Sequence, residues 1–401
     1  MTSIRSSFIF RILSGAALVL TLFTLSLHSA KSFADEGPIL VASIFAHTGP
    51  AAEENTPNYR MVRLAVERIN ETGGLLGRRL ELLEIDNQST ALGSREAARD
   101  AVKAGVTAVI GPSWSSHAMA MAPVLQRAGI PMVGATTTAP EVTQVGDFIF
   151  RICYTNRHQA LALARFAVQH LKAESAAVLS IAGEVYSEDL AEGFAEEFVR
   201  LGGEMLVSRS YLQSSMDFSR QLTDVQSAKP DVVFVPGFAR DSGLILKQAR
   251  TMGMQMPFLG GDGWTALEQY PHLDPANGDN YYTSHWHPDS EQPESLEFIR
   301  LLKKEYGPEA LSLVDSGNPC AYDAMMIVAD AIRRAGSASP GAIRNMLLAT
   351  KGYHGVTGTI TFNGSRDPLK PLVILQITQS GTRYIKTDTP PGHEESLPQG
   401  N

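Results

Sequence analysis

Residues 39–111 alternate apolar runs with amphipathic stretches, and this alternation most narrows what the chain can fold into. The run at 39–45 reads as a strand, followed by the loop His47-Thr-Gly-Pro50 and a helix that Gly73-Gly74 ends. A second strand at 79–85, a second helix and a third strand at 106–110 lead into Gly111-Pro112. The strands are continuous apolar runs rather than alternations, so helices must cover both faces of their sheet. Repeated strand–helix units imply right-handed crossovers and parallel pairing.

The helix after Asn58 sets Val62, Ala65, Val66 and Ile69 on one face. Ser94 is the expected cap of the next helix, and Ser115-Ser116 the cap of a third that runs to about Arg127, before a strand at 131–133. The pattern restarts at 176. Strands at 176–182, 204–210, 231–235 and 257–259 alternate with helices at 188–201, 218–226 and 242–252. A connecting strand at 281–287, helices at 293–306, 319–335 and 339–350, and a hairpin at 372–378 and 382–387 complete the chain. The fold class is α/β, with two doubly wound parallel-sheet lobes. Residues 388–401, rich in Pro, Gly, Glu and Ser, read as a disordered tail.

The first 34 residues read as a cleavable signal peptide. Arg5 and Arg11 flank an apolar stretch at 12–27, and Ser32-Phe33-Ala34 is a small-x-small cleavage site, so a mature start at Asp35 in an extracytoplasmic compartment is expected. The apolar stretch is short for a membrane span, and no Cys near the site offers a lipid anchor. The net charge is −8, and removing Arg5, Arg11 and Lys31 with the leader takes it to −11, which argues against nucleic acid or an anionic membrane as partner. A length of 401 residues suits about two domains. For Cys153 and Cys320, a bridge and two buried thiols fit the sequence equally.

Open α/β sheets bind ligands beyond the carboxyl ends of their strands, which selects the loops at 46–50, 112–117, 134–140, 183–187, 236–241 and 260–264. Ser113-Trp-Ser-Ser-His117 opens a helix whose free amides favour an anion, with Ser115 adding a hydroxyl. Thr136, Thr137 and Thr138 supply three more hydroxyls. Asp262, between glycines in Gly260-Gly-Asp-Gly-Trp264, is suited to an ammonium. Tyr186 is placed to close over a ligand and Phe238 to wall the pocket, although for either ring alone core packing is the simpler reading. His285 and His287 share a strand face, but two ligands do not complete a metal site, so neither metal nor cofactor is expected. Catalysis is disfavoured as well. Ser115 and His117 point apart at a helix start, and the chain lacks a Gly-x-Ser-x-Gly elbow, a His-Glu-x-x-His pair and a phosphate loop.

Across the whole expected mature chain, several short motifs keep a specific order. They are His47-Thr-Gly-Pro50, Ala65-Val-Glu-Arg-Ile-Asn70, Gly77-Arg78, Asp86, Val109-Ile-Gly-Pro112, Thr138-Ala-Pro-Glu-Val-Thr143, Gln248-Ala-Arg250, Ala321-Tyr-Asp-Ala324 and Gly355-Val-Thr-Gly-Thr-Ile-Thr-Phe362. In these the chain resembles the periplasmic solute-binding proteins of ABC transporters, the Leu/Ile/Val-binding type. The resemblance implies a type I periplasmic-binding-protein fold, with lobes at 35–154 plus 288–358 and at 156–284 plus 364–387. Its crossings would fall near Thr155, at 284–286 and at 361–363. It implies a monomeric receptor that closes on an amino acid and presents it to an ABC permease. An apolar or aromatic side chain is expected, with an aromatic acid, an amide, urea or a sensor role as alternatives. Ser115 would hold the α-carboxylate, Thr136, Thr137 and Thr138 would contact the zwitterion, and Asp262 would take the ammonium. Tyr186 would close from the second lobe, where Phe238 forms an aromatic wall. The chain departs from the family pattern at Trp114 and around Asp86-Asn87, which replace a small disulfide, and Trp114, Trp264 and Trp286 are expected to reshape the side-chain pocket.

Overall fold

The computed structural model describes residues 37–390 except 268, 269, 271, 273 and 363. The expected leader, the tail beyond residue 390 and the last position of the third expected crossing lie outside the described residues. The first unit comprises β1 (Ile39–Phe45), α1 (Ala52–Glu71), β2 (Leu80–Asp86), α2 (Ala91–Ala104), β3 (Val109–Ile110), α3 (Ser115–Ala128), β4 (Met132–Gly134), α4 (Glu141–Gln144) and β5 (Ile149–Arg151). Its five strands pair in parallel in the order β2-β1-β3-β4-β5. Strand alternation divides the core. Val41 and Phe45 join Met61, Val62, Ala65 and Ile69 of α1 on one face, while Ala42 and Ile44 join Ala97, Ala98 and Ala101 of α2 on the other.

The chain then enters a second sheet through α5 (Asn156–Arg165), which ends in a π-helical turn. There follow β6 (Ser175–Ile181), α6 (Val185–Arg200), β7 (Glu204–Tyr211), α7 (Ser219–Ala228), β8 (Val232–Val235), α8 (Ala239–Thr251), β9 (Phe258–Gly260) and β10 (Asn280–Ser284). Next, α9 (Pro293–Tyr306), α10 (Pro319–Ala335) and α11 (Pro340–Leu348) return to the first unit, where Leu301, Ile327, Val328 and Ile343 share the core of α1. A short hairpin, β11 (Tyr353–Gly355) and β12 (Gly358–Ile360), precedes β13 (Leu372–Thr378) and β14 (Gly381–Asp388). Strand β13 adds antiparallel to β10 and β14 antiparallel to β13, giving the order β14-β13-β10-β9-β8-β6-β7.

Local starts differ from expectation in three helices. Helix α1 begins at Ala52 and carries Pro57 inside it, so it starts ahead of Asn58, after which the helix was expected. Thr90, not Ser94, caps α2: its Oγ1 accepts the Gly93 amide at 2.9 Å, and Ser94 lies within the helix. Trp114 is the residue before α3 and gives no side-chain cap, which leaves Ser115 as the first helical residue. Cys153 and Cys320 are free and fully buried. Residue 388, the first of the expected tail, closes β14.

Candidate functional site

A small cavity lies between the two sheets, past the carboxyl ends of their strands. From the first unit it is walled by Glu54, Asn55 and Asn58 at the start of α1, by Ser113, Trp114 and Ser115 after β3, and by Thr136 after β4. From the second come Tyr186 in α6, Phe238 ahead of α8, and Asp262, Gly263, Thr265 and Ala266 after β9. Asp315, Gly317 and Asn318 close it from the turn before α10.

Asp262 is 5 % exposed and held on both oxygens. Gln159 Nε2 donates to Oδ1 at 2.9 Å, and His285 Nε2 lies 3.0 Å from Oδ2. Gln159 Oε1 in turn accepts the Asp262 amide and the Thr283 hydroxyl, so the carboxylate is fixed from two elements. Burial alone would lower the His285 imidazolium, yet Cys320 and Asp262 beside it outweigh burial and hold it at about 9. The Tyr186 hydroxyl accepts the Gly263 amide at 3.0 Å. That approach needs bare backbone, because a Cβ at Gly261 would strike the Tyr186 hydroxyl and one at Gly263 would lie 2.6 Å from the Gly237 carbonyl.

An aromatic ladder crosses the cavity. Trp114 stacks on Phe238 with ring centroids 4.0 Å apart and planes 9° from parallel. Tyr186 continues the stack beyond Phe238, and His117 lies behind Trp114. His117 Nδ1 accepts from the Asn87 amide nitrogen at 3.2 Å, and burial pushes it down to about 4, so it stays neutral. Ser115 accepts the Ala139 amide, which leaves its hydroxyl proton free to donate. The α3 amino end meets Glu184 of the other unit; burial raises that carboxyl, and the hydroxyl and amide of Ser116 partly offset the rise.

The opposite end of the cavity is acidic. Glu54 is pushed up to about 8 by burial first, then by Asp315, Asp241 and Glu53. Burial also pushes Asp315 up to about 6, against the amides of Gly317 and Asn318 that hydrogen-bond it. Asn58 links Ser113 to Asn318, bracing this wall.

Of the residues expected from sequence, Ser115, Thr136, Tyr186, Phe238, Asp262 and Trp114 meet at this cavity. Thr137 and Thr138 are fully buried behind it and do not line it. Trp264 also stands away from it, with its indole donating to the Val235 carbonyl under Gly260, because a ring of that size fills the core below β9. Trp286 donates to Ser295 in the first core and likewise does not line the cavity. His285 and His287 part company: one faces Asp262, the other the Thr382 carbonyl. Among the described residues no group of three or more His, Cys, Asp or Glu side chains is gathered to hold a metal ion. Sequence reasoning missed Glu54, Asn55, Asn58 and the 315–318 turn. The rule of strand ends pointed to 46–50, one helical turn short of Glu54.

Comparison with known proteins agrees with this architecture. A family profile described as periplasmic binding protein matches residues 38–382. A Leu/Ile/Val-binding protein homologue from Brucella melitensis is 27% identical over 345 residues, covering 86% of this chain and 91% of that protein. The crystal structure of the leucine-binding protein LivK from Thermotoga maritima superposes with a TM-score of 0.79 at 31% identity, covering 88% of this chain and 99% of its own. That of the branched-chain amino acid transporter substrate-binding protein LivJ from Streptococcus pneumoniae, in complex with isoleucine, gives 0.81 at 25% identity, covering 88% and 100%.

Proposed function

The chain belongs to the periplasmic binding protein family, a family of binding proteins and not of enzymes, and from that premise we propose that it is the substrate-binding component of an ABC importer that captures an amino acid. The observation that carries this reading is the cavity between the two sheets, walled by hydroxyls and a helix start on one side and by buried Asp262 on the other. The names of the relatives above, and the isoleucine in the Streptococcus structure, support the ligand class.

In this reading the α-carboxylate rests on Ser115, Thr136 and the α3 amides, and the α-ammonium on the remaining lone pairs of Asp262. The side-chain stem runs along Trp114 and Phe238. Ligand docks first on the unit of β1–β5. Tyr186, Phe238 and Asp262 reach it only on closure, so the closed state is favoured by contacts the open one lacks. The lobes are divided at 154–156, 284–288 and 358–364, and the closed faces are presented to a membrane permease. The leader delivers the chain, as a monomer, to the periplasm with cleavage after Ala34. No helix among the described residues is long and apolar enough to cross a membrane.

The test is a thermal-shift series on chain from Asp35 onward, unfolded and refolded to strip bound ligand, against α-amino acids, their decarboxylated amines and their deaminated acids. Binding to the folded state raises the melting temperature. A shift with intact α-amino acids alone is expected. Equal shifts with the deaminated acids would remove Asp262 from its role, and no shift with any amino acid would overturn the reading.

A further inference from the structure

The balance of charge in the cavity is unequal to what a zwitterion with an apolar side chain needs. Among the described residues three carboxyls line it, Glu54, Asp262 and Asp315, and no Lys, Arg or His does. Asp262 has His285 as its own counter-ion. Asp315 raises Glu54, which takes one hydrogen bond from the Arg240 amide, while His285 and the Gly317 and Asn318 amides act on Asp315; among the described residues neither carboxyl makes a direct ion pair. Beside them stands an independent sign of an absent donor: Asn55 is 1 % exposed and lines the cavity, and its Oδ1 accepts no hydrogen bond among the described residues. An acceptor buried in that way costs free energy until a donor meets it. The same cavity is lined by the Trp114–Phe238 pair with Tyr186, whose stacked rings offer an apolar wall.

We infer that the cavity takes a basic amino acid, its side-chain nitrogen held among Glu54, Asn55 and Asp315 and its methylene stem lying on the Trp114–Phe238 pair. This rests on the amino-acid reading above and adds the second charge. A neutral apolar side chain at the same end would strip water from three acceptors and return no hydrogen bond, and sites of that kind discriminate strongly against the ligand that lacks the donor. A cationic nitrogen brings a donor to all three and takes the place of the proton that Glu54 otherwise keeps at neutral pH. The aliphatic stem keeps an apolar contact of the kind the aromatic wall offers.

Isothermal titration on the refolded chain would compare lysine and ornithine with norleucine, leucine and cadaverine. Norleucine keeps the stem of lysine and lacks its amine, and cadaverine keeps both amines and lacks the carboxylate. Lysine or ornithine is expected to bind at least about 100-fold more tightly than norleucine or leucine. In Glu54→Gln, checked for folding by circular dichroism, that ratio is expected to fall below about 10-fold. Norleucine or leucine binding as tightly as lysine to the unaltered chain overturns the inference and leaves the receptor reading in place. Cadaverine binding more tightly than lysine overturns the amino-acid reading and this inference with it, as does binding of none of the five.

Discussion

Asp262 reaches the cavity with one oxygen on Gln159 and the other near His285, so it meets a ligand as a braced, partly neutralised carboxylate. Asp262→Asn keeps the shape and the Gln159 contact but removes the charge. A charge-assisted hydrogen bond is worth about 1.5–3 kcal/mol, so ligand affinity should fall about 10- to 150-fold by titration calorimetry. The same change should drop the His285 titration, followed by NMR, from about 9 toward or below its ordinary value. Because the folded value is raised, His285 stabilises the fold fully below about pH 6.5, and that contribution is lost as pH rises through about 9. Glu54 acts over a lower window. Its folded carboxyl keeps a proton that the unfolded chain has shed, so its contribution to stability declines from about pH 4.5 to about pH 8. Glu53, Asp241, Asp315 and the Tyr270 phenol all face it, and against them stands the hydrogen bond from the Arg240 amide, whose guanidinium pairs with Asp241. Urea unfolding of ligand-free Glu54→Gln should therefore lose less stability between pH 5 and pH 8 than the parent. Asp262 was legible in sequence because glycines flank it at a strand end. Glu54 was not, since acids near a helix start ordinarily face water, and only the approach of Arg240 and Asp241 at the α8 start and of the 315–318 turn half-buries it.

Elements were more legible than their ends. Apolar runs gave β1, β6, β8 and β13 nearly as they stand, because each carries its own burial pattern through a sheet covered on both faces. The starts of α1, α2 and α3 went astray for local reasons. The helix was expected after Asn58, yet α1 already starts at Ala52 and continues through Pro57. Ser94 read as a cap, yet its hydroxyl returns to the Thr90 carbonyl one turn back, and Thr90 takes the capping geometry with extended backbone. Thr90→Ala should cost about 1 kcal/mol of folding stability in denaturant titration, with ligand affinity unchanged, since α2 lies away from the cavity. The uncapped start of α3 is a different matter. With Trp114 giving no side-chain bond, its first amides are left for Glu184 and, in the proposed complex, for a carboxylate.

At the scale of the molecule, two units with separate cores meet over a cavity whose walls come from both. The Trp114–Phe238 stack joins an element that follows β3 to one that follows β8, so it can exist only when the units are shut. Sequence offered both rings as candidates but not their pairing, because the spacing of residues 114 and 238 along the chain carries no information about contact across a cleft. An aromatic pair contributes about 0.5–1.5 kcal/mol beyond the area it buries. Its loss in Phe238→Ala should lower the closed fraction and weaken apparent affinity about 2- to 12-fold, since ligand must then restore the binding-competent state from a smaller population. Small-angle scattering would separate this from a lost ligand contact. The ligand-free variant should show a larger radius of gyration than the parent, and saturating ligand should bring both to the same value. An unchanged radius in the ligand-free variant, with affinity still reduced, would mean that Phe238 acts on the ligand directly and that the stack does not hold the units together.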